Sequence, residues 1–462
     1  MTATLVAGAE VRVAITAVDD EGAGVGAVSS TGALAVHVPA TLPGERVRAR
    51  VAHVSTHRPR AWASLLAIEQ ASVERVTPAC PAHGSCGGCV LQHWASAAQL
   101  AWKEQTLRAQ VGADPILGAL AVPVDAAVAS PLAFGYRNNS KLVAGRGPDG
   151  RLVLGGYAPR SHHIVDLGGC AVVEAALAAV AETLRGVLED AAVPPYDEQR
   201  LTGVLRYAIL RANADGRVLV TLVTAGDDFP GGQAVAERLC RQSPAVAGVV
   251  HNVNPTRGNV LFGEREHTLV GAPFLEDRIG AVRLRLSSRA FFQANRHVAA
   301  LAYQAIATAV APAPKDRVVD AYAGVGGIAL TLAPACGRVW GIEDHPAAAA
   351  DATLSATLND VTNTTFVAGD AGERLEALLA TEKTMDIVVL NPPRRGCDTS
   401  VLRHTVALQP RRIAYLSCSP PTLLRDLGAL AALGYRTLQL TPFDMLPHTP
   451  HLEALAVLAR AG

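Results

Sequence analysis

Three hydrophobic patterns succeed one another along the chain. Between residues 8 and 68, apolar and polar positions alternate in short runs such as Val11–Val18 and Leu34–Val38, with glycines at 22, 24, 26, 32 and 44 as punctuation. Successive side chains of a strand point to opposite faces, so this alternation predicts a small β domain. Arg46, Arg48 and Arg50 alternate around Val47 and Val51, which would place three guanidinium groups on one face, with His53, His57, Arg58 and Arg60 close behind. Such a row is often just a solvated strand face; a small five-stranded barrel with one basic face is equally a way to hold single-stranded RNA. Residues 125–290 then mix β-prone runs, Arg217–Thr224 and Val282–Leu286, with helical stretches at Ala171–Val193 and Ala234–Arg241, predicting an α/β segment. From Ala299 the pattern changes again. A helix, Ala299–Val310, precedes the strands Arg317–Asp320, Arg338–Ile342, Thr365–Val367, Asp386–Leu390 and Arg412–Ser417, with helical stretches between them. That alternation is the pattern of an open α/β sheet.

Composition adjusts this picture in a few places. With 462 residues the chain has room for about three domains, and its pattern divides at 1–70, 71–290 and 291–462. The formal net charge is zero, which excludes a protein held to nucleic acid by bulk charge alone. Only Lys103, Lys141, Lys315 and Lys383 are lysines among 41 basic side chains. That arginine bias is mostly compositional, although guanidinium groups suit phosphate. The stretch Ala171–Val193 is interrupted by Glu174, Glu182, Arg185, Glu189 and Asp190 and reads as a soluble helix, so no membrane span is expected and a cytoplasmic protein is the default.

Three of the eight cysteines are bunched in Cys80-Pro-Ala-His-Gly-Ser-Cys86-Gly-Gly-Cys89. Thiolates at this spacing in a glycine-rich loop suit one soft metal centre. Cys170, in the loop Asp166–Cys170 before a helix, is the best-placed fourth ligand; Cys240 falls in a predicted helix and reads as core. Four thiolates suit zinc or a [4Fe-4S] cluster, and the spacing does not choose between them. A second patch, Phe134-Gly-Tyr136-Arg137-Asn138-Asn139 with Lys141, would either stack and hold a nucleotide or form a partly buried turn.

The strand ends of the last segment carry the chemistry. Arg317–Asp320 runs into the turn Ala321–Gly327, and about 20 residues on the next strand ends in Glu343, the spacing at which a carboxylate takes ribose hydroxyls. The following strands end in Gly369-Asp370 and Asn391-Pro392-Pro393. An acid before the glycine turn leaves no room for a pyrophosphate, so the ordered set points to S-adenosylmethionine: Asp320 near its methionine end, Glu343 on ribose, Asp370 on the adenine edge. Arg394 and Arg395 stand where an amino-methyltransferase would have a base-stacking aromatic, and they suit phosphate instead. Cys418 ends the strand Arg412–Ser417, before two prolines. A thiol there suits pyrimidine C5 methylation, because C5 is not nucleophilic until something adds to C6.

With those motifs in order, the chain resembles the RNA uracil-C5 methyltransferase family, the iron–sulfur, TRAM-containing 5-methyluridine enzymes of large-subunit rRNA or the tRNA T-loop. The resemblance rests on the barrel, the cysteine loop, Phe291-Phe-Gln293-x-Asn295, Asp320–Gly327, Asn391–Gly396, Ser417-Cys418 and His448-Thr-Pro-His451-Leu-Glu453. It implies a Rossmann-like class I methyltransferase domain, an N-terminal OB-like TRAM barrel that binds RNA, and a central α/β domain with an iron–sulfur loop. It further implies Cys418 as nucleophile and Glu453 as base. Gln293, Tyr322, Glu343, Asp370 and Asn391 would contact S-adenosylmethionine, and Cys80, Cys86, Cys89 and Cys170 would hold a [4Fe-4S] cluster. The implied partner is RNA, the implied state a monomer. Two positions depart from the pattern: Gly327 replaces a polar Asn of many relatives, and Asn391 replaces the Asp of some branches, a variant nearer the ribosomal-RNA branch. A non-catalytic RNA-binding protein is the competing reading, which the Cys418/Glu453 pair opposes. An iron–sulfur redox protein would need a flavin or nicotinamide site, and the chain shows none.

Overall fold

The structure is a computed structural model that describes residues 5–28, 34–258 and 260–461, so Gly32 of the predicted β domain lies outside the described residues. Two compact units result, Met1–Trp102 with Leu446–Pro450, and Lys103–Met445 with His451–Gly462.

The first unit contains a closed five-stranded barrel, in the order Glu10–Val18, Gly24–Ala27, Ala35–Val38, Arg60–Gln70, Arg46–Val54. Period-two patterning fills it: Val13, Ile15, Val36, Val38, Val47, Ala49, Val51, Ala61 and Ala63 form its core. Gly26 allows two strands to close on each other, since a Cβ there would lie 2.1 Å from the Ala14 carbonyl oxygen. Arg46, Arg48 and Arg50 all face outward as their alternation requires, but Arg50 is paired with Glu10 at 2.8 Å, so the basic face is partly neutralised. Beside it, Trp62 stacks between His37 and His53, with ring centroids 5.8 and 5.6 Å away, and the Arg60 guanidinium lies 4.9 Å from the Trp62 ring. Beyond the barrel, the cysteine-bearing loop is anchored by Leu91 and Trp94 against Leu42 and by Arg75, which donates to the buried Glu45 carboxylate at 2.6 Å.

The second unit holds two seven-stranded sheets. The first runs Arg265–Gly271, Val246–Val253, Val218–Thr224, Leu205–Ala212, Asn139–Arg146, Leu152–Tyr157, Ile164–Asp166, and among its pairs only Val218–Thr224 with Val246–Val253 is parallel. Helix Ala175–Asp190 covers it with Leu177, Val180, Leu184, Val187 and Leu188, one stripe at helical spacing. The predicted helix Ala171–Val193 is thus shortened at both ends. The hairpin Phe274–Ile279/Val282–Ser287 follows and is tied to helix Pro346–Leu358 by Asp351, which accepts from the Ser287 N–H at 2.8 Å and from Arg285 at 3.3 Å.

The second sheet has the order Thr364–Ala368, Arg338–Glu343, Arg317–Asp320, Ile387–Leu390, Arg412–Ser417, Glu453–Arg460, Tyr435–Phe443. Its first five strands are parallel; Glu453–Arg460 is antiparallel to both its neighbours. Helix Arg296–Val310 starts three residues before the predicted Ala299, because the Asn295 side chain accepts from the Val298 N–H at 3.2 Å and caps it. Among the described residues no helix is long and apolar enough to cross a membrane.

Candidate active site

Parallel strands deliver their C-terminal ends to one edge of the sheet. Reading along that edge, the residues met are Asp370, Glu343, Asp320, Asn391 and Cys418, one from each successive strand. The next strand runs the other way, so its first residue rather than its last lies at this edge, and that residue is Glu453. Ser417 pairs with Ala454 in the ladder, which brings Cys418 and Glu453 together although 34 residues lie between these two in the chain.

At the Asp320 end the structure forms a cradle. Gly324 and Gly326 adopt positive φ of 55° and 92°, a conformation that costs glycine little, and lead into helix Gly327–Leu332. Glu343 reaches across from its neighbouring strand and accepts the Gly324 and His345 N–H groups, each at 2.9 Å. Asp320 is fully buried. Its Oδ2 accepts from the Ala329 N–H at 3.2 Å, while Oδ1 has no hydrogen-bond partner of good geometry among the described residues. Burial pushes this carboxyl up to about 7, against the pull of the Tyr322 and Ala329 N–H groups. An unsatisfied buried acceptor costs about 1–3 kcal/mol, so Oδ1 is open to a further donor. Gln293 is buried beside it, with its backbone carbonyl accepting from Asn138 at 2.8 Å and its side chain bonded to the Tyr303 hydroxyl. Tyr322 is half-buried and bonded to the Cys397 thiol. Asp370 is exposed and caps helix Ala371–Glu382 by accepting the Glu373 N–H at 3.1 Å, a role not foreseen from its sequence.

Gly327 has a local explanation. A Cβ at this position would stand 2.8 Å from the Tyr303 ring. We expect Gly327→Asn to lower unfolding free energy by about 1–3 kcal/mol through overpacking. Denaturant melts would show it, and Gly327→Asn/Tyr303→Ala should lose less than the two single variants' losses added; additive losses would mean that the two side chains do not collide.

At the other end, Cys418 is half-buried, one residue before the cap of helix Pro420–Ala432. Burial and the Glu453 carboxylate push its thiol up, while Arg394, which hydrogen-bonds it, pulls down. Burial beside a carboxylate outweighs Arg394 here, and Arg395, which the sequence also offered for phosphate, is exposed and stands 3.6 Å from Asp398. Glu453 is buried, and burial pushes it up to about 7, opposed by Arg394. His451 is pushed down by burial, Arg394 and Lys103. Thiol, carboxyl and guanidinium thus form one group, and Arg394, which the sequence offered for phosphate, stands within it.

The patch at Phe134–Lys141 resolves toward its bland alternative. Tyr136 and Asn138 are buried, and Asn138 braces Gln293 rather than facing a ligand. Among the described residues no group of three or more His, Cys, Asp or Glu side chains is already disposed to hold a metal ion. Cys80, Cys86 and Cys89 are half-buried thiols on one loop in the first unit, and Cys170 is a half-buried thiol of the second. Cys240 packs against the core of the first seven-stranded sheet, as its helix suggested.

Comparison with known proteins gives a consistent result. The family described as tRNA (uracil-5-)-methyltransferase matches residues 275–461. An uncharacterized RNA methyltransferase of Geobacter sulfurreducens is 38% identical over 97% of this chain and 90% of its own length. Another, from Halalkalibacterium halodurans, is 34% identical over 97% of this chain and 96% of its own. Among solved structures, the Pyrococcus abyssi tRNA (uracil-54, C5)-methyltransferase in complex with S-adenosyl-L-homocysteine is similar at a TM-score of 0.77 with 26% identity, covering 97% of this chain and 99% of that one.

Proposed function

The chain belongs to the RNA uracil-C5 methyltransferase family, and we propose that it methylates C5 of a loop uridine in RNA, 23S rRNA being favoured over the tRNA T-loop, by covalent catalysis from Cys418. What carries this reading is the order of groups along the sheet edge. Asp370, Glu343 and Asp320 follow one another as the adenine, ribose and methionine parts of S-adenosylmethionine would require; Asn391 comes next, and the Cys418/Glu453 pair stands beyond. The cradle fits that ligand: Asp320 offers a buried oxygen to its ammonium, and Glu343 keeps lone pairs for a ribose diol. Gln293 and Tyr322 would complete the pocket.

S-adenosylmethionine supplies an electrophilic methyl on a positively charged sulfur. The Cys418 thiolate adds to uracil C6, and the C5=C6 electron pair moves into an enolate. C5 then bonds the methyl carbon as the methyl–sulfur bond breaks. Glu453 takes the C5 proton, and the C6–sulfur bond breaks to restore the ring and the thiolate. Arg394, beside both groups, would steady the thiolate and the carboxylate in turn. The target base must leave its stack, which costs a few kcal/mol in a helix and less in a loop, so loop RNA is the expected substrate. Incubation with labelled S-adenosylmethionine and transcripts of host rRNA and tRNA tests the whole reading. Label recovered as 5-methyluridine in 23S rRNA supports it, label in the T-loop redirects it, and RNA retention without transfer points to the non-catalytic alternative.

In this reading the barrel is a TRAM-like RNA module, and His37–Trp62–His53 with Arg60 is the surface best suited to an unstacked base. Trp62→Ala should weaken RNA binding about 10-fold, since a stacked base is worth about 1–3 kcal/mol. Filter binding of a single-stranded transcript measures it, and an unchanged affinity would place RNA elsewhere. The support for a [4Fe-4S] cluster is the donor chemistry of Cys80, Cys86, Cys89 and Cys170. Iron and sulfide analysis of protein purified without oxygen decides the matter: one zinc, or no metal, removes the cluster and spares the methyltransferase.

A further inference from the structure

One buried carboxylate plays no part in the steps above. Asp426 is 1% exposed, within the apolar stripe of helix Pro420–Ala432 that Leu423, Leu427 and Leu430 also form. Its Oδ2 accepts from the Tyr415 hydroxyl at 2.6 Å and from the Cys397 N–H at 2.8 Å, and its Oδ1 accepts from Arg425 Nε at 2.8 Å. Tyr415 lies three residues before Cys418 on the same strand, and Cys397 closes the loop that carries Asn391 and Arg394. We propose that Asp426 is a positioning residue, which seats the loop 391–397 on this helix and so holds Arg394 beside Cys418 and Glu453.

Neighbouring contacts point the same way. Arg425, itself held by Asp426, donates to the Arg395 carbonyl at 3.0 Å and to the Cys397 carbonyl at 3.3 Å, and Thr422 Oγ1 donates to the Arg394 carbonyl at 3.1 Å. The loop lies so close that a Cβ on Gly396, at a φ of 78°, would stand 2.5 Å from Arg425 Nη2 and 2.6 Å from Asp426 Oδ2. Helix side chains therefore grip the backbone at the Arg394 carbonyl and through Cys397 on its C-terminal side, while its guanidinium is left to reach the thiol. Without the carboxylate, the Cys397 N–H and the Tyr415 hydroxyl lose their acceptor and Arg425 its ion partner, so the loop loses its hold on the helix. Tyr415 ties the same carboxylate to the strand of Cys418, so thiol and guanidinium are referenced to a single buried point.

The proposal rests on Cys418 being the attacking thiol, and its test can fail independently of that. The readout is alkylation of Cys418 by iodoacetamide across pH, followed by peptide mass spectrometry on the full chain without RNA. Glu453 and Arg394 face the thiol, and His451 faces Arg394, so the midpoint reports where Arg394 stands. Arg394→Met should raise the midpoint by about 0.5–1 pH unit. Asp426→Asn and Gly396→Ala should raise it likewise, and Asp426→Asn/Arg394→Met no further than Arg394→Met alone. In turnover, Asp426→Asn should lower kcat about 10- to 100-fold while KM for S-adenosylmethionine stays within about 2-fold. Should Asp426→Asn not fold, Arg425→Met removes the grip on the loop and keeps the carboxylate, and the same shift is expected. An unmoved midpoint in Asp426→Asn, Gly396→Ala and Arg425→Met, or a double variant whose shift is the sum of the two, would reduce Asp426 to a structural carboxylate. Methyl transfer surviving Cys418→Ala would instead sink the nucleophile reading and leave the titration result standing.

Discussion

Replacement of Cys418 by alanine or serine should lower 5-methyluridine formation by at least about 10⁴-fold while leaving RNA binding nearly unchanged. Without an addition at C6 the C5 carbon has no electron pair to offer the methyl group, so no slower version of the same path remains. The nearest chemical substitute is Cys397, and the structure disqualifies it. That thiol is 5% exposed, pushed up to about 12 chiefly by burial, and hydrogen-bonded to the Tyr415 and Tyr322 hydroxyls. Serine keeps the shape of the side chain but has a far weaker nucleophile, and should behave as alanine does. Quantifying 5-methyluridine in digested RNA after prolonged incubation checks this. A variant that keeps more than about one per cent of the rate rules out covalent catalysis by Cys418.

Glu453→Gln should behave differently, and the difference is diagnostic. Addition and methyl transfer precede the step that needs the base, so RNA should accumulate joined to Cys418 through C6, already methylated at C5. A denaturing gel would show a slow band that Cys418→Ala/Glu453→Gln cannot form; loss of turnover without that band would move the base elsewhere. The wild-type profile against pH follows from the same residue. Burial raises Glu453 to about 7 and also raises the thiol, and each acts in its deprotonated form, so kcat/KM should climb with pH through neutrality. Stability runs the opposite way. A carboxyl held above its ordinary range contributes stability that is fully present below that range and is lost as pH rises through about 7, and both Glu453 and Asp320 are of this kind. Thermal melts without ligand should therefore show a higher Tm at pH of about 6 than at about 8. The decline should shrink in Glu453→Gln, and a flat Tm would mean that neither carboxyl is held protonated.

Much of this site was legible because each of its parts follows a β-prone run. Asp320, Glu343, Asn391 and Cys418 each stand at or just after a strand end that hydrophobic patterning alone locates. Their order across the sheet was not legible, because it depends on which strands pair rather than on which residues form them. Glu453 shows the same limit more sharply: only the antiparallel insertion of its strand puts it next to Cys418. Asp370 carried a second signal, three residues before Glu373 at the start of a helix, which reads as a cap. Asp426 was in principle visible as an acid within an apolar helical stripe, although its partners were not. The cysteine loop shows a further limit, since spacing in sequence constrains the backbone between thiols and says nothing of where their sulfurs point. The direction of the Cys418 shift was out of reach too, because desolvation depends on everything packed around a group.

The strand that begins with Glu453 lies between Arg412–Ser417 and Tyr435–Phe443, both of which precede it in the chain. The two flanking strands therefore emerge from the ribosome first, and they must leave a slot for the segment that follows them. Until it arrives, the sheet has an open edge along Arg412–Ser417, and the thiol is displayed without its carboxylate. Completion of the sheet and completion of the catalytic pair are thus one folding event. A chain in which Glu453–Arg460 has not yet inserted exposes that edge to pairing with other strands.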